Sequence, residues 1–235
     1  MTEERPRQRR LNQDPVETPP AGAPARAVIE GRLTRLEPLD PAHLDSLFEL
    51  SHGDAEKARI WDYLPYGPFE DRAAFARWLE ARAASEDPLF FTVLDRATGR
   101  PEGVASYLNS VPANASIEIG HICFTPAMQR SPQGTDARYA RMRRAMDDLG
   151  YRRLEWKCNA ANAKSRAAAR RRGFGYEGVF YRHMIVKGCN RDTAWYSLLD
   201  EEWPRVRANF EAWLAPENFD GEGRQKTSLS ELNAL

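Results

Sequence analysis

The segment Ser116–Cys158, "SIEIGHICFTPAMQRSPQGTDARYARMRRAMDDLGYRRLEWKC", predicts a strand, a helix and a second strand in succession. Its first apolar run gives way to a polar stretch. Residues 135–149 follow, in which Tyr139, Met142 and Met146 recur at helical spacing. A strand, a crossover helix and a second strand place two parallel strands in one sheet. The segment therefore predicts the parallel centre of an α/β fold.

Strand and helix patterns on both sides of this segment extend the sheet. The elements follow the order β-α-α-β-β-β-α-β-α-β-β, with two strand–helix–strand crossovers at the centre and antiparallel pairs on either side. This order predicts an α/β (α+β mixed) fold, whose central mixed, twisted sheet has about seven strands and helices on both faces. The predicted strands are residues 31–39, 89–95, 101–111, 116–124, 152–158, 175–188 and 191–200.

The two ends of the chain differ from the region between them. Residues 1–28 are rich in Pro, Arg and Glu and lack periodicity, and residues 216–235 have the same character. Such segments bury too little apolar surface to offset the entropy that ordering removes. We therefore expect a disordered N-terminal tail, one domain over residues 29–215 that ends in a peripheral helix, and a disordered C-terminal tail.

Charge and cysteine content argue against several classes of protein. The 34 basic and 34 acidic residues cancel, which argues against a dedicated nucleic-acid-binding protein. Three cysteines without C-x-x-C spacing argue against a disulfide framework and favour a reducing interior. The four histidines are scattered and form no metal motif, and no apolar run approaches the ~20 residues of a membrane span. We expect a cytoplasmic protein with no metal, no membrane contact and no nucleic-acid partner.

A polar hinge, residues 129–135, joins the central strand to its helix. The start of a helix offers unpaired N–H groups and the positive end of the helix dipole, which together bind anions. Here Arg130 adds a fixed charge, Ser131 adds a hydroxyl, and Gly134 lets a ligand approach the backbone. The same residues also suit an ordinary turn that Thr135 caps. From the hinge alone, a phosphate site and a plain turn remain equally open.

A second polar junction follows the next predicted strand, in "NAANAKSRAAARRRGF", residues 159–174. Asn159 stands at the strand exit, Asn162 at the helix start, and Ser165 one turn later. An asparagine cap and the closing Gly173 explain much of this pattern without a ligand. They do not explain two successive donor-rich junctions. If both strands run parallel, the junctions open at the same edge of the sheet, where ligands bind in open α/β folds.

The order of elements and these two junctions resemble the GCN5-related N-acetyltransferase (GNAT) superfamily, in particular its Rim-like branch of ribosomal-protein N-terminal acetyltransferases. The motifs that carry the resemblance are "IEIGHICF", "QRSPQGTDA" and "NAANAKSRAAARRRGF". It extends over roughly residues 30–205. The hinge departs from the superfamily pattern Q/R-x-x-G-x-G/A, because Pro132 occupies the first glycine position. The resemblance implies the GNAT fold and an acyltransferase that moves an acetyl group from acetyl-CoA to an amine.

The resemblance also implies which residues bind acetyl-CoA. The backbone N–H groups of residues 130–135 would hold the pyrophosphate, Asn162 would bind the pantetheine arm, and Ser165 would lie near the sulfur. Arg166 or Arg170 would reach the nucleotide phosphates, and Ile122 or Cys123 would supply the oxyanion N–H. The full set of implied cofactor-binding residues is Ile122, Cys123, Gln129, Arg130, Ser131, Gly134, Thr135, Asn159, Asn162, Ser165 and Arg166.

Direct attack of an amine on a thioester requires a base, because an ammonium group has no lone pair. Glu118 is the first candidate, although a cross-strand ion pair accounts for it equally well. His121 is the second, although a histidine at such a position is more often a half-buried packing residue. Three positions apart, they should face opposite sides of a regular strand, unless a bulge intervenes. The tyrosine that many GNAT enzymes use as acid is replaced here by Ala169, which leaves Ser165 or water for that step.

Two segments are candidates for the walls of the acceptor pocket. Within "RIWDYLPYGPFED" (residues 59–71), Asp62 could hold a cationic amine, and Tyr63 and Tyr66 could line the pocket; packing on the core is the alternative. In the turn between the last two strands, Arg191 could contact an acceptor carboxylate or remain solvated. The resemblance implies a primary amine as acceptor, either a protein N-terminus or a small molecule, and the sequence leaves a monomer and a homodimer equally open.

Two other functions remain open at this point. A non-catalytic acyl-CoA sensor or scaffold would explain both the missing tyrosine and the proline in the hinge. An RNA-associated protein would use the basic helix faces of "RYARMRR" and "RAAARRRGF" to contact phosphates. The balanced net charge argues against the RNA alternative.

Overall fold

The computed structural model describes residues 4–11, 13, 15–16 and 20–234 of the 235-residue chain. Within these residues, eight strands form a single sheet in the spatial order β1-β2-β3-β4-β5-β6-β8-β7. The strands are β1 (Ile29–Glu30), β2 (Thr34–Pro38), β3 (Leu89–Asp95), β4 (Pro101–Val111), β5 (Ser116–Phe124), β6 (Arg153–Asn159), β7 (Gly175–Val186) and β8 (Cys189–Leu199). Neighbouring strands are antiparallel except β5 and β6, which run parallel.

Helices cover both faces of this sheet. The helices are α1 (Leu44–Ser51), α2 (Ala55–Ala58), α3 (Arg72–Ala83), α4 (Pro132–Arg143), α5 (Ala163–Arg171), α6 (Trp203–Leu214) and α7 (Leu229–Leu232). On one face, α1 and α3 pack over an apolar cluster that includes Trp61 and Phe90. On the other face, α4 and α6 pack over a larger cluster that includes Met142 and Phe210. We call these the acceptor face and the helix α4 face.

Local signals in the sequence set the ends of these helices. The Asp40 carboxylate accepts a hydrogen bond from the Ala42 N–H, and Pro41 opens the short 3₁₀ turn that leads into α1. Gly173 follows α5 with a φ of +85°, the left-handed conformation that glycine adopts at low cost. Both ends lie where the sequence predicts them.

The mixed α/β fold is confirmed, with two differences of detail. The sheet has one strand more than expected, because the two-residue β1 pairs with β2 ahead of the predicted first strand. The second crossover also differs, since α5 leads to β7 at the sheet edge and β8 lies between β6 and β7. The chain thus has one adjacent parallel pair, β5 and β6.

Residues near both ends of the chain pack on the domain. Arg9 forms an ion pair with Glu202, and near the C-terminus Leu229 is fully buried. The predicted tail, residues 1–28, lies partly outside the described residues, so its disorder stays a prediction, as does that of the C-terminal tail. No helix in the described part of the chain is long and apolar enough to span a membrane.

Candidate functional site

The two parallel strands at the centre of the sheet separate after a short stretch of pairing. β5 and β6 pair only from Ser116 opposite Arg153 to Glu118 opposite Glu155. Beyond these positions β5 continues to Phe124, and the sheet ladder between the two strands stops. The backbone groups that face the gap can therefore bind an extended ligand. We call this gap the central cleft.

A β-bulge in β5 lies beside the cleft. Val104 of β4 pairs with Cys123 and Ser106 pairs with Gly120, so that Ala105 alone faces two residues of β5. One of these is His121, whose φ is +47°. The extra residue reverses the alternation of side chains along the strand. Sequence parity predicts opposite faces for Glu118 and His121, and the bulge instead places both on the acceptor face.

Glu118 is buried within a polar network on this face. Its carboxylate accepts a hydrogen bond from Asn109 at 2.7 Å and forms an ion pair of 3.1 Å with Lys157. Lys157 also pairs with Glu155 at 2.9 Å and lies 4.0 Å from the ring centroid of Trp195. Burial raises the pKa of Glu118, while the Lys157 charge and the Asn109 hydrogen bond oppose that rise. The carboxyl group is therefore moved toward the pKa range of a general base.

His121 forms a second polar pair with Tyr66. The Tyr66 hydroxyl lies 2.8 Å from Nδ1 of His121, and the two rings stack at 5.6 Å between centroids. Burial, together with the positive charges of Arg82 and Arg191, lowers the pKa of His121 to about 4. Burial likewise raises the pKa of the Tyr66 hydroxyl. Both groups are thus neutral near pH 7.

The hinge after β5 forms the capped start of α4. Ser131 is the N-cap, and its hydroxyl accepts a hydrogen bond from the Gly134 N–H at 3.0 Å. Pro132 occupies the first turn of the helix, where a missing N–H removes no helical hydrogen bond. The predicted helix start at Thr135 is therefore wrong, because the helix begins three residues earlier. Gln129 and Arg130 are exposed before the cap, and Arg130 has a φ of +62°.

Four arginines lie on α4 and at the end of α5, on the helix α4 face of the sheet. Arg141 is fully buried and donates to the Ser106 carbonyl, and Arg172 is 5% exposed and donates to the Ala168 carbonyl. Arg138 donates to the Gly134 carbonyl and lies over the Phe124 ring, and Arg171 donates to Thr135. We call Arg138, Arg141, Arg171 and Arg172 the arginine cluster.

The arginine cluster lacks negative partners in the described part of the chain. The acceptors that its guanidinium groups reach there are carbonyl and hydroxyl oxygens, and buried Nε atoms of Arg138, Arg141 and Arg172 have no partner. Burial and neighbouring arginines lower the pKa of Arg172 to about 9, and burial lowers the pKa of Arg141 to about 10. Unpaired buried cations are costly, so this cluster suits an anionic ligand.

The second predicted junction is also capped. Asn162 accepts from the Ser165 N–H at 3.0 Å, and Trp156 donates to the Ser165 hydroxyl at 3.0 Å. Asn159 accepts from the Ala161 N–H before the helix begins. Arg166 points elsewhere, since it pairs with the Glu4 carboxylate at 2.7 Å. The predicted roles of these residues stay predictions, and the structure gives Arg166 a protein partner instead.

The predicted acceptor residues lie above the acceptor face. The Tyr63 hydroxyl contacts the Ala161 carbonyl at 3.5 Å, and Lys187 donates to the Trp61 carbonyl at 2.9 Å. These contacts hold the loop of residues 59–71 against the turn before α5 and against the β7–β8 hairpin. Asp62 is exposed, and its negative charge interacts with the positive charge of Lys187.

Arg191 completes this side of the cleft. Its positive charge lies close enough to lower the pKa of His121, and burial lowers the pKa of Arg191 itself. Among the described residues, no group of three or more His, Cys, Asp and Glu side chains is placed to hold a metal ion.

Sequence reasoning missed the arginine cluster and the Lys157 network. The available signal was the pair of basic stretches "RYARMRR" and "RAAARRRGF", which contain all four arginines and which suggested only RNA contacts for them. For Lys157, the signal was its position two residues after Glu155 on the same strand. The alternation of side chains puts the two residues on one face of the sheet.

Known proteins place this architecture in one family. Residues 32–175 match the model of the acetyltransferase (GNAT) domain. A GCN5-related N-acetyltransferase from Brucella melitensis is 45% identical, with 93% of this chain and 99% of that chain covered and a TM-score of 0.90. A probable GNAT-family acetyltransferase from Chromobacterium violaceum is 40% identical, with coverages of 85% and 100% and a TM-score of 0.76.

More distant neighbours share the fold alone. A Salmonella typhimurium acetyltransferase that modifies the N-terminal serine of ribosomal protein L7/L12 is 20% identical, with coverages of 74% and 99% and a TM-score of 0.63. A search of curated proteins gave no significant match. The domain match covers more than half of the chain, and the relatives from Brucella melitensis and Chromobacterium violaceum are 45% and 40% identical over most of it. The chain therefore belongs to the GCN5-related N-acetyltransferase (GNAT) superfamily.

Proposed function

We propose that the protein is an N-acetyltransferase that moves the acetyl group of acetyl-CoA to a primary amine. The observation that carries this proposal is the arginine cluster between α4 and the end of α5. Coenzyme A carries a pyrophosphate and a further phosphate, and the cluster supplies positive charge without carboxylate partners among the described residues. Helix N-termini and guanidinium groups are the usual protein partners of phosphate.

The hinge and the cluster together support a position for the phosphates. Ser131, Gly134 and Thr135 already donate their N–H groups within the cap. The N–H groups of Arg130 and Gln133 and the Arg130 side chain would therefore contact the pyrophosphate from the exposed side. Arg171, which donates to Thr135 at 3.2 Å, would contact it from α5. Arg138 and Arg172 lie deeper and would balance the remaining charge. These contacts replace the sequence-based expectation that Arg166 or Arg170 binds phosphate.

The central cleft would bind the rest of the donor. An extended pantetheine arm carries amide groups, and these can pair with the backbone of β5 and β6 where the two strands separate. The bulge at His121 lies along this edge, so the N–H groups of Ile122 or Cys123 would stabilise the oxyanion. Burial raises the pKa of the Cys123 thiol, which does not favour a covalent route through that residue.

Glu118 is the proposed general base. The incoming ammonium group gives a proton to the Glu118 carboxylate, directly or through water, and becomes a nucleophilic amine. Its lone pair attacks the thioester carbonyl carbon, the C–N bond forms, and the C–S bond breaks. Coenzyme A leaves as a thiolate and takes, directly or through water, the second proton that the nitrogen releases as the amide forms. Lys157 keeps the carboxylate in place and limits the rise of its pKa.

His121 is proposed as a neutral hydrogen-bond donor rather than a base. The protonated Tyr66 hydroxyl donates to Nδ1, which leaves the imidazole proton on Nε2. A neutral imidazole N–H can stabilise negative charge without competing for the proton of the amine. This arrangement gives His121 the donor role that Ala169, in the place of a family tyrosine, cannot fill. Ser165 is bonded to Trp156 and would contact the sulfur.

One assay tests the proposal. Purified protein is incubated with acetyl-CoA and a panel of small amines and N-terminal peptides, and released thiol is followed. We expect turnover that Glu118→Gln lowers about 100-fold or more at pH 7, and less at high pH where the free amine is abundant. Tight acetyl-CoA binding without turnover of any amine would instead indicate an acyl-CoA sensor.

The proposal also covers the kind of acceptor and the cellular location of the protein. The acceptor is either a protein N-terminus or a small-molecule amine, with a monomer or a homodimer as the active form. All three cysteines are free, which supports a cytoplasmic location, where acetyl-CoA is available.

A further inference from the structure

Two arginines, Arg82 and Arg191, border the acceptor side of the cleft. Trp78 of α3 packs against Tyr66 at 4.9 Å between centroids, and Arg82 follows it one helical turn later on the same side. Arg191 of β8 lies on the sheet face of Trp195, which covers Lys157. The two guanidinium groups therefore approach His121 from the helix and from the strand.

Neither guanidinium forms an ion pair within the described part of the chain, and the nearby Glu118 carboxylate opposes the lowering of the Arg191 pKa by burial without bonding to it. The Nε atoms of Arg82 and Arg191 are buried and have no hydrogen-bond partner there. The nearby carboxylates are already engaged, because Glu118 pairs with Lys157, and Glu155 pairs with Lys157 and Arg153. The acceptor side of the cleft thus has two positive charges that lack an ion-pair partner among the described residues, next to a proposed base.

An anionic group on the acceptor would satisfy both arginines. The phosphates of the donor are assigned to the arginine cluster on the opposite sheet face, so the anion here must arrive with the amine. Glu118 must remain ionised to act as base, and a dianionic phosphate beside it would raise its pKa further. A carboxylate carries one negative charge and matches the planar guanidinium group in paired hydrogen bonds.

We infer that the acceptor is an amine that also carries a carboxylate, which Arg82 and Arg191 bind. This inference rests on the proposed acetyl transfer. The carboxylate could belong to a free amino acid or to an acidic side chain near the N-terminus of a peptide, and the chemistry at the arginines is the same. An uncharged or polycationic amine would leave both guanidinium groups unpaired.

Matched acceptor pairs test the inference by turnover. Free amino acids are compared with their carboxamides, and peptides with Asp or Glu in the first two positions are compared with their Asn or Gln forms. We expect the carboxylate form of at least one pair to have a kcat/KM about 10- to 100-fold higher, as expected when a charged hydrogen-bond partner is lost. The pair that responds identifies the source of the carboxylate.

Variants then assign the preference to the two arginines. Arg82→Gln and Arg191→Gln should each lower kcat/KM for the preferred acceptor about tenfold or more, and reduce its advantage over the amide. The affinity for acetyl-CoA should stay within about twofold. Arg191→Lys should recover part of the preference. The matched controls are Arg77→Gln on α3 and Arg182→Gln on β7, both exposed, and they should leave the preference unchanged.

A binding measurement keeps the inference testable without turnover. In the presence of coenzyme A, N-acetyl amino acids or N-acetylated acidic peptides should bind at least about tenfold tighter than the corresponding amides, and Arg191→Gln should remove the difference. Equal binding of acid and amide would overturn the inference, as would a preference for phosphorylated or uncharged amines. Absence of turnover with an intact carboxylate preference would instead count against the proposed function alone.

Discussion

The Tyr66 hydroxyl and Nδ1 of His121 lie 2.8 Å apart, with their rings stacked at 5.6 Å between centroids. This pair joins the loop of residues 59–71 to the bulge of β5. Burial lowers the pKa of His121 to about 4 and raises that of Tyr66, so the contact is between two neutral groups. A neutral pair fixes the orientation of the imidazole beside the proposed thioester site without adding charge there.

Removal of the Tyr66 hydroxyl should impair catalysis more than donor binding. In Tyr66→Phe, Nδ1 of His121 loses its partner, and the imidazole can adopt either tautomer. We expect kcat to fall up to about tenfold, with the KM for acetyl-CoA unchanged within a factor of about two. Tyr181→Phe is the control, because that ring is 79% exposed on β7. Equal activity of Tyr66→Phe and wild type would remove the pair from the mechanism.

His121 should also make the fold sensitive to acid. The unfolded imidazole titrates near its ordinary value of about 6.5, whereas burial lowers the pKa of the folded one to about 4. Between these values the unfolded state binds more protons, so the free energy of unfolding decreases as the pH falls through this window. The contribution is fully present above about pH 6.5 and is lost, up to about 3 kcal/mol, by about pH 4.

His121→Gln removes this titration and supplies the measurement. The free energy of unfolding of wild type and variant is determined by urea denaturation at pH 7.5 and pH 4.5. The difference between wild type and variant should shift in favour of the variant at the lower pH. A difference that is independent of pH would show that the folded imidazole titrates normally.

The arginine cluster should lower the stability of the ligand-free protein and strengthen the binding of coenzyme A. Arg172→Met removes an unpaired buried charge and keeps most of the side-chain volume, so the ligand-free protein should be at least as stable as wild type. The increase in Tm that coenzyme A produces should shrink, since its phosphates lose a partner. Arg170→Met on the same helix is the control, because its side chain is 54% exposed and lies near Glu4. A marked loss of ligand-free stability would indicate a structural role for Arg172.

Short-range patterns made much of the fold predictable. Alternating apolar residues located the strands, and signals such as Asp40 and Gly173 located helix ends, because both act over a few positions. The two-residue β1 was missed, since it exists only through pairing with β2. The order β6-β8-β7 depends on which strands find each other in space, and no local pattern encodes that choice.

The site was less predictable than the fold, because it too depends on which residues meet in space. The resemblance indicated the strand, the hinge and the second junction, and the structure brings these together around one cleft. The face of the sheet on which His121 lies depends on the bulge, where His121 has a φ of +47°. The arginine cluster joins residues of α4 and α5 that are more than 25 positions apart, and only tertiary packing reveals that no carboxylate of residues 4–11, 13, 15–16 and 20–234 pairs with them.

The contacts of Arg9 predict that the N-terminal segment stabilises the domain, whereas the composition of residues 1–28 predicts a disordered tail. Arg9 forms ion pairs with Glu202 at 2.8 Å and Glu177 at 3.0 Å, and it donates to the Ser197 hydroxyl at 2.8 Å. These partners belong to β7, β8 and the turn before α6, so the contact crosses three separate parts of the domain. A guanidinium that is 18% exposed and held by two carboxylates contributes more than an isolated surface pair.

Arg9→Ala should therefore lower the free energy of unfolding by about 1–3 kcal/mol, because two partly buried carboxylates lose a shared partner. Arg10→Ala, one residue away and exposed, should change it by less than about 0.5 kcal/mol. Urea denaturation of both variants at pH 7 gives the comparison, and hydrogen exchange at residues 7–9 shows whether their amides are protected. Equal stability of the two variants, with unprotected amides, would mean that this segment is a disordered tail, as its composition predicts.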